Sequence, residues 1–149
     1  MSNPPGGDPL AITLLSEVAI VEQLAQWHLK RALPKGMEVS HFAVLNHFAR
    51  LGGEKTPGQL ARAFHVTKGA MTNTLSRLDK AGYVNIRPDW DDARRKRVSL
   101  SDAGRGARND AIEAIAPVFD NVVNGLGSDK IRAMLPLLRE LRELMGREE

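Results

Sequence analysis

The chain has no cysteine among its 149 residues. Disulfide bonds, thiolate metal sites and thiol-based redox sensing are therefore excluded. Histidine does not take over as a metal ligand, because no two of the four histidines stand four residues apart and no HExxH motif occurs. The sequence predicts neither a metal centre nor a cofactor.

The usual signatures of enzymatic chemistry are missing as well. There is no nucleophile elbow, and no close pair of acidic residues belongs to a recognisable cleft. The segment Gly125-Leu126-Gly127 begins like a dinucleotide-binding fingerprint, but it lacks the third glycine and the preceding strand. We expect a helix-breaking turn there, and we do not expect an enzyme.

Targeting signals are also lacking. Residues 1–9 contain three prolines and two glycines but neither the basic start nor the apolar stretch of a secretion signal. No later apolar run looks long enough to span a bilayer. We expect residues 1–9 to be a disordered lead, the protein to be cytoplasmic, and no membrane to be involved.

What the chain does have is an ordinary globular composition with an uneven charge distribution. Hydrophobic residues make up 42% and charged residues 26%, which predicts one folded domain over residues 1–149. The net charge is +3, yet residues 62–108 alone carry eleven Lys and Arg against five Asp. A basic middle between mildly acidic ends favours a polyanion as the partner of the middle segment.

Both ends of the chain are rich in helix-forming apolar patterns. Apolar residues cover more than one face of the predicted helix at 10–33, and they recur at helical spacing through 101–145, with a bend or break near Pro117. One small module could not bury this much apolar surface. We therefore expect 10–33 and 101–145 to form the interface of a homodimer.

The middle of the chain predicts two short helices joined by a tight turn. Thr56-Pro57-Gly58-Gln59 has the pattern of a capping box, Thr67 offers a second N-cap, and Gly82 can end the second helix. Ser40 can cap a helix before them, and strands at 83–87 and 97–100 follow around a charged tip. The predicted fold is mainly α with a small β-hairpin wing, in which 40–100 forms a winged helix-turn-helix lobe.

The helix at 67–81 has the two faces that a major-groove reader needs, one apolar and one of short polar side chains. Asn73 is the first candidate for reading a base, because its amide can pair bidentately with adenine. The basic run 94–97 suits a wing, 87–97, that straddles phosphates and places an arginine in the minor groove. The predicted DNA-contacting residues are Lys68, Gly69, Thr72, Asn73, Ser76, Arg77, Arg94, Arg95 and Lys96.

Other readings of the same residues stay open. The polar helix face could be merely solvated, and the basic run could be a solvated loop or a nuclear-localisation patch. The whole lobe could also serve as a winged-helix adaptor that binds another protein without specific DNA binding. Steep loss of binding with salt would distinguish DNA from a protein partner.

The run from Asp92 to Gly104 resembles the wing signature of the MarR (multiple antibiotic resistance regulator) family of bacterial transcription factors. That signature is Asp, any residue, Arg, then Val-x-Leu-Thr and a Gly three residues later. Residues 67–84 are similar to the family's recognition helix and its exit into the wing. Two positions depart from the pattern, since Ser101 replaces the usual Thr and Asn73 stands where Arg is common.

The resemblance implies a homodimer on double-stranded DNA with a pseudo-palindromic operator. It assigns Arg94 to the minor groove and Asp92 to a salt bridge that orients the wing. It also implies a repressor that leaves DNA when a small aromatic or phenolic effector binds. The candidate effector-binding residues, each of which could equally be an ordinary core or surface position, are Trp27, His28, His41, Phe42 and His47.

Overall fold

The computed structural model describes residues 7–147. Over that range the chain forms six helices and one two-stranded antiparallel hairpin, so the predicted fold class is confirmed. In chain order the elements are α1 (Leu10–Ala32), α2 (Val39–Leu51), α3 (Pro57–Phe64), α4 (Lys68–Lys80), β1 (Val84–Pro88), β2 (Lys96–Leu100), α5 (Asp102–Leu126) and α6 (Ser128–Met145).

The helix starts follow local hydrogen bonding. Thr56 Oγ1 accepts from the Gln59 N–H at 3.1 Å and Gln59 Oε1 accepts from the Thr56 N–H at 2.9 Å, which confirms the capping box of α3. Thr67 caps α4 as predicted, with Oγ1 accepting from the Ala70 N–H at 3.1 Å. The turn between α3 and α4 is closed by His65, whose φ of 52° lies in the left-handed region.

The prediction that Ser40 caps α2 is wrong. The helix begins at Val39, and the N-cap residue is Glu38. The N–H of Glu38 donates to His41 Nδ1 at 3.1 Å, so a histidine takes the place that Glu or Gln holds in the usual capping box.

A single apolar core holds α2, α3, α4 and the hairpin together. Leu45, Phe48, Leu60 and Val98 have no exposed surface. Burying such side chains stabilises the fold by about 1.5–3 kcal/mol each. The angle between α3, α4 and the hairpin is therefore set by packing, and the full cluster is Val44, Leu45, Phe48, Leu60, Ala61, Met71, Leu75, Leu78, Val84 and Val98.

The hairpin is tied to the helices by a third segment. β1 and β2 pair from Val84 opposite Leu100 to Pro88 opposite Lys96. On the side of β2 that faces away from β1, the Val98 N–H donates to the Lys55 carbonyl at 2.8 Å, and the Val98 carbonyl accepts from the Lys55 N–H at 2.9 Å. The loop before α3 thus acts as a one-residue edge partner of the wing, which no periodicity in the sequence predicts.

The start of α5 packs closely on the exit of α4. Ser101 Oγ donates to the Gly82 carbonyl at 2.6 Å and accepts from the Gly104 N–H at 3.0 Å. A Cβ on Gly104 would lie 1.9 Å from the Tyr83 carbonyl oxygen and 2.8 Å from Leu100 Cδ1. Only glycine fits at position 104, and serine supplies the hydroxyl that threonine supplies in the wing signature.

The described chain divides into two compact units, the first ending at Ala114 and the second beginning at Ile115, inside α5. The expectation of one domain over 1–149 stays a prediction, and residues 1–6 of the expected disordered lead lie outside the described residues. Of the bend or break expected near Pro117, the break is wrong, because α5 runs through it to Leu126. The break predicted at 125–127 is confined to Gly127, whose φ is 98°, because Gly125 and Leu126 belong to α5.

The terminal helices expose much of their apolar surface. No residue of α1 is buried, and Leu10 and Val21 are 60% and 62% exposed. In α6, Leu137 and Met145 are each 65% exposed. By length and composition alone α1 could also cross a membrane, contrary to the expectation that no apolar run is long enough.

We expect Gly104→Ala to lower the free energy of unfolding by about 1–3 kcal/mol. The added methyl group meets the Tyr83 carbonyl, which cannot move without shifting the backbone that follows α4. Gly106→Ala in the same helix is the matched control, since nothing lies within 4 Å of its added Cβ. That control should be neutral or stabilising by up to about 1 kcal/mol. Urea denaturation followed by circular dichroism measures both, and equal stability of the two variants would contradict the close approach.

Candidate nucleic-acid interface

The two faces of α4 differ as predicted. Met71, Leu75 and Leu78 are at most 3% exposed and pack in the core. The other face is open to solvent, and Ala70, although apolar, is also exposed. The exposed residues of α4 include all six of its predicted DNA contacts, Lys68, Gly69, Thr72, Asn73, Ser76 and Arg77.

The N-terminus of α3, the first turns of α4 and the tip of the wing line one groove of about 460 Å³. Five basic side chains converge there from three separate segments, and no acidic residue is among the described residues that line it. The N-terminal amides of α3 add positive polarisation at its floor. The lining residues are Thr56, Pro57, Gly58, Gln59, Arg62, Lys68, Thr72, Arg94, Arg95 and Lys96.

The groove brings together only part of the predicted set. Lys68 and Thr72 from α4 meet the wing residues there, whereas Gly69, Asn73 and Ser76 are exposed on α4 but do not line the groove. Arg62 also lines the groove, although the sequence did not place it among the DNA contacts. Its position in the last turn of α3, next to the capped start of α4, was the available signal.

Arg77 is turned away from this groove. Its Nη1 lies 3.2 Å from Glu38 Oε1, in an ion pair whose two side chains are about half exposed. The pair joins α4 to the start of α2. Exposed pairs of this kind contribute roughly 0–1 kcal/mol, so Arg77 can be released to another anion at little cost.

The carboxylate of Asp92 holds the two arginines of the wing tip. Its Oδ1 accepts from the Arg94 backbone N–H at 3.0 Å and from Arg94 Nε at 3.3 Å, while Oδ2 lies 3.5 Å from Arg95 Nε. The Arg94 side chain is nevertheless 92% exposed. This geometry suits the wing-orienting role expected of Asp92, which stays a prediction.

A second carboxylate, Asp89, organises the base of the wing tip and was missed in the sequence. Only 8% of its surface is exposed. Its Oδ1 accepts from the Asp91 N–H at 3.0 Å and its Oδ2 from Arg97 Nε at 3.2 Å. The Asp91 N–H and then the positive charge of Arg97 lower the pKa of Asp89, against the opposing effect of burial. Asp89 therefore forms an Asx turn, in which the side chain accepts from the N–H two residues later. An aspartate in a loop was the available sequence signal for such a turn.

The residues predicted to bind an effector are scattered. Trp27 and His28 stack edge to face on α1 with ring centroids 4.9 Å apart, and the Arg31 guanidinium lies 4.6 Å from the centre of the Trp27 ring. His41 is buried and caps α2, and Phe42 is buried beside it.

His47 lies elsewhere, with its ring centroid 5.2 Å from that of Phe64. Burial, followed by the charges of Lys55 and Arg50, lowers its pKa below the usual histidine value. A cleft of about 550 Å³ adjoins α1 and α2, but it is lined by Gln26, Lys30 and residues 36–40. None of the five candidates lines that cleft.

Together, the short capped helix pair, the two-faced α4 and the basic hairpin define a winged helix-turn-helix protein. Comparison with known proteins agrees. The model of the MarR family matches residues 35–95. The resemblance to the MarR family is therefore confirmed for the segment that contains α2, α3, α4 and β1.

Solved structures share the fold over nearly the whole chain. A mutant of MarR from E. coli, in complex with operator DNA, is 24% identical with a TM-score of 0.74, covering 90% of this chain and 99% of its own. The regulator PcaV from Streptomyces coelicolor, in complex with its natural ligand, is 18% identical with a TM-score of 0.73, covering 93% and 97%. An organohalide-sensing regulator in its 2,4-dichlorophenol-bound form is 23% identical with a TM-score of 0.74, covering 96% and 85%.

We expect Asp89→Asn to lower the free energy of unfolding at neutral pH, because the amide cannot accept both hydrogen bonds as a carboxylate does. A lowered pKa means that the carboxylate stabilises the fold above its ordinary pKa of about 4, and that this stabilisation is lost as the pH falls through the lowered value. The difference from wild type should therefore be constant near pH 7 and shrink below about pH 4. Urea denaturation across pH measures it.

The matched control is Asp91→Asn, which removes an exposed carboxylate from the same loop and leaves the Asp91 N–H in place. It should unfold like wild type at neutral pH. An Asp89→Asn protein as stable as this control at neutral pH would show that the Asp89 contacts do not stabilise the wing.

Proposed function

We propose that this protein binds double-stranded DNA as a homodimer and regulates transcription from a pseudo-palindromic operator. The observation that carries the proposal is the groove in which Arg62, Lys68, Arg94, Arg95 and Lys96 meet the N-terminus of α3. Basic side chains that converge on the positive end of a helix dipole suit a phosphate backbone.

In this proposal α4 enters the major groove. Its buried face fixes the angle, and Thr72, Asn73 and Ser76 project short polar groups toward base edges. Asn73 pairs with adenine. Lys68 and Arg62 hold phosphates, and the wing places the Arg94 guanidinium in the neighbouring minor groove, where the potential is most negative.

The dimer rests on the exposed apolar surfaces of α1 and α6. A second copy of the same chain can cover them, and isologous pairing of one patch with itself is the commonest way to do so. A bilayer suits α1 less well, because Glu17 and Glu22 lie within it, and ionised side chains are costly in hydrocarbon. Two copies of α4 then read half-sites about 10 base pairs apart.

Similarity of fold to the E. coli regulator solved with operator DNA supports this proposal. A winged-helix adaptor is the alternative, and the two make opposite predictions for salt. A DNA-binding lobe loses affinity steeply as salt rises because counterions are released from the phosphates.

Fluorescence anisotropy with the duplex upstream of the protein's own coding region, against an unrelated duplex of equal length, tests the proposal. We expect Arg94→Ala to weaken binding by about 1–3 kcal/mol, and Asn73→Ala to relax base preference at one position per half-site. Arg132→Ala, which removes a 78% exposed arginine of α6, should bind like wild type.

The stoichiometry should be one dimer per site, and the free protein should sediment as a dimer at micromolar concentration. Equal binding to both duplexes would mean that the operator lies elsewhere. No binding even at low salt would contradict the proposal and favour the adaptor. Wild-type binding by both Arg94→Ala and Asn73→Ala would instead contradict the DNA contacts assigned to those two residues.

We further propose that a small aromatic or phenolic effector releases the protein from DNA, so that it acts as a repressor. The 2,4-dichlorophenol-bound structure of one protein with the same fold supports a phenolic effector, and a second protein of this fold is solved with its natural ligand. Adding such a compound to the preformed complex should raise the Kd for DNA. A compound that raises the melting temperature of the protein but leaves its Kd for DNA unchanged would contradict an effector role.

A further inference from the structure

Trp90 is an exposed indole at the tip of the wing. At 80% exposure it is the most exposed large apolar side chain in residues 7–147. Leaving so large an aromatic in water is unfavourable, and tryptophan is the residue type most enriched at binding hot spots. The wing signature assigns it no role.

The indole is attached to a tightly bonded loop. Asp89, immediately before it, accepts hydrogen bonds from the Asp91 N–H and from Arg97. Asp92, two residues after it, accepts from the backbone of Arg94. Since both sides of Trp90 are fixed by carboxylates, little conformational freedom is lost when the ring meets a partner.

One side of the ring already has a neighbour. The Arg87 guanidinium lies 5.9 Å from the ring centre and is held in turn by the Pro88 carbonyl at 2.9 Å and by Glu54 Oε2 at 2.9 Å. With 80% of the residue exposed, the ring still has a large open surface and its Nε1–H is available to an acceptor.

Most of the negative charge around the ring is neutralised within the protein. Asp89, Asp92 and Glu54 each lie within 3.5 Å of an arginine nitrogen, whereas Asp91, the residue after Trp90, is an exposed carboxylate. Trp90 is four residues from Arg94, a chain distance of at most about 14 Å. A minor groove about 6 Å wide that takes the Arg94 guanidinium therefore brings its flanking sugar and phosphate groups within reach of the indole.

We infer that Trp90 contacts the deoxyribose-phosphate backbone at the edge of the minor groove. Its ring packs on a deoxyribose and its Nε1–H donates to a phosphate oxygen. Such a contact positions the wing without reading sequence. The inference rests on the proposed DNA-binding function.

The chain has two tryptophans, so Trp27→Phe leaves Trp90 as the single fluorescent reporter. We expect the fluorescence emission of Trp90 to change when this variant is titrated with the duplex that the protein binds in the anisotropy experiment. In anisotropy, Trp90→Ala should weaken DNA binding by about tenfold, because the variant loses one hydrogen bond to a phosphate and the packing of the ring on a deoxyribose. Trp90→Phe, which keeps a ring but loses the donor, should be intermediate.

Salt separates this contact from a charged one. Trp90→Ala should leave the slope of log Kd against log salt unchanged because indole releases no counterion, whereas Arg94→Ala should reduce that slope by about one. Leu51→Ala removes a 64% exposed apolar side chain outside the wing and should bind like wild type. Circular dichroism confirms that each variant is folded.

Duplex binding with unchanged Trp90 emission and a wild-type affinity for Trp90→Ala would overturn the inference and leave the proposed function standing. Emission that changes with protein concentration in the absence of DNA would place Trp90 in a contact between protein copies and would also overturn it. Failure of every variant and of wild type to bind any duplex would instead overturn the proposed function.

Discussion

Val98 is the point on which the geometry of the winged helix-turn-helix lobe depends. Its side chain is fully buried in the core, while its backbone pairs with Ile86 across the hairpin and with Lys55 on the other side. One residue thus joins the wing to the loop that begins α3. If this junction slipped by one position, the buried and exposed faces of β2 would exchange, and the basic residues of the tip would leave the groove.

Ion pairs within the protein restrict the positions of the cations of this lobe. Asp92 holds the arginines at the tip, Asp89 holds Arg97, and Glu38 holds Arg77. The exposed pairs contribute little to stability, so their main physical effect is to restrict where long side chains point. Preorganised side chains lose less entropy on binding, which favours affinity without adding contacts.

The apolar surface is distributed differently in the two parts of the chain. Around α2, α3 and α4 the large apolar residues are buried in one small core. In α1 and α6, considered separately, they remain largely exposed. This contrast is expected when one segment folds on its own contacts and others are completed by a partner, because a small lobe cannot cover long apolar helices.

Much of the fold could be predicted from the sequence because its signals are local. The capping box at Thr56 and Gln59, the N-cap at Thr67 and the left-handed glycine at position 82 act over three or four residues. The same holds for the alternation of the hairpin and for the wing motif. Hydrogen bonds at this range are formed by residue types at fixed spacing, so spacing alone determined the order of helices and strands and the polar face of α4.

Other features depended on residues far apart in the chain. Spacing does not show that Lys55 would pair with Val98, that Arg62 would face the wing, or that Gly104 would touch the Tyr83 carbonyl. It also does not show that Arg77 would turn toward Glu38. The sequence by itself determined the class of lobe and its basic middle. Only the tertiary structure decided which basic side chains share one groove, because that depends on how the core packs the helices against the hairpin.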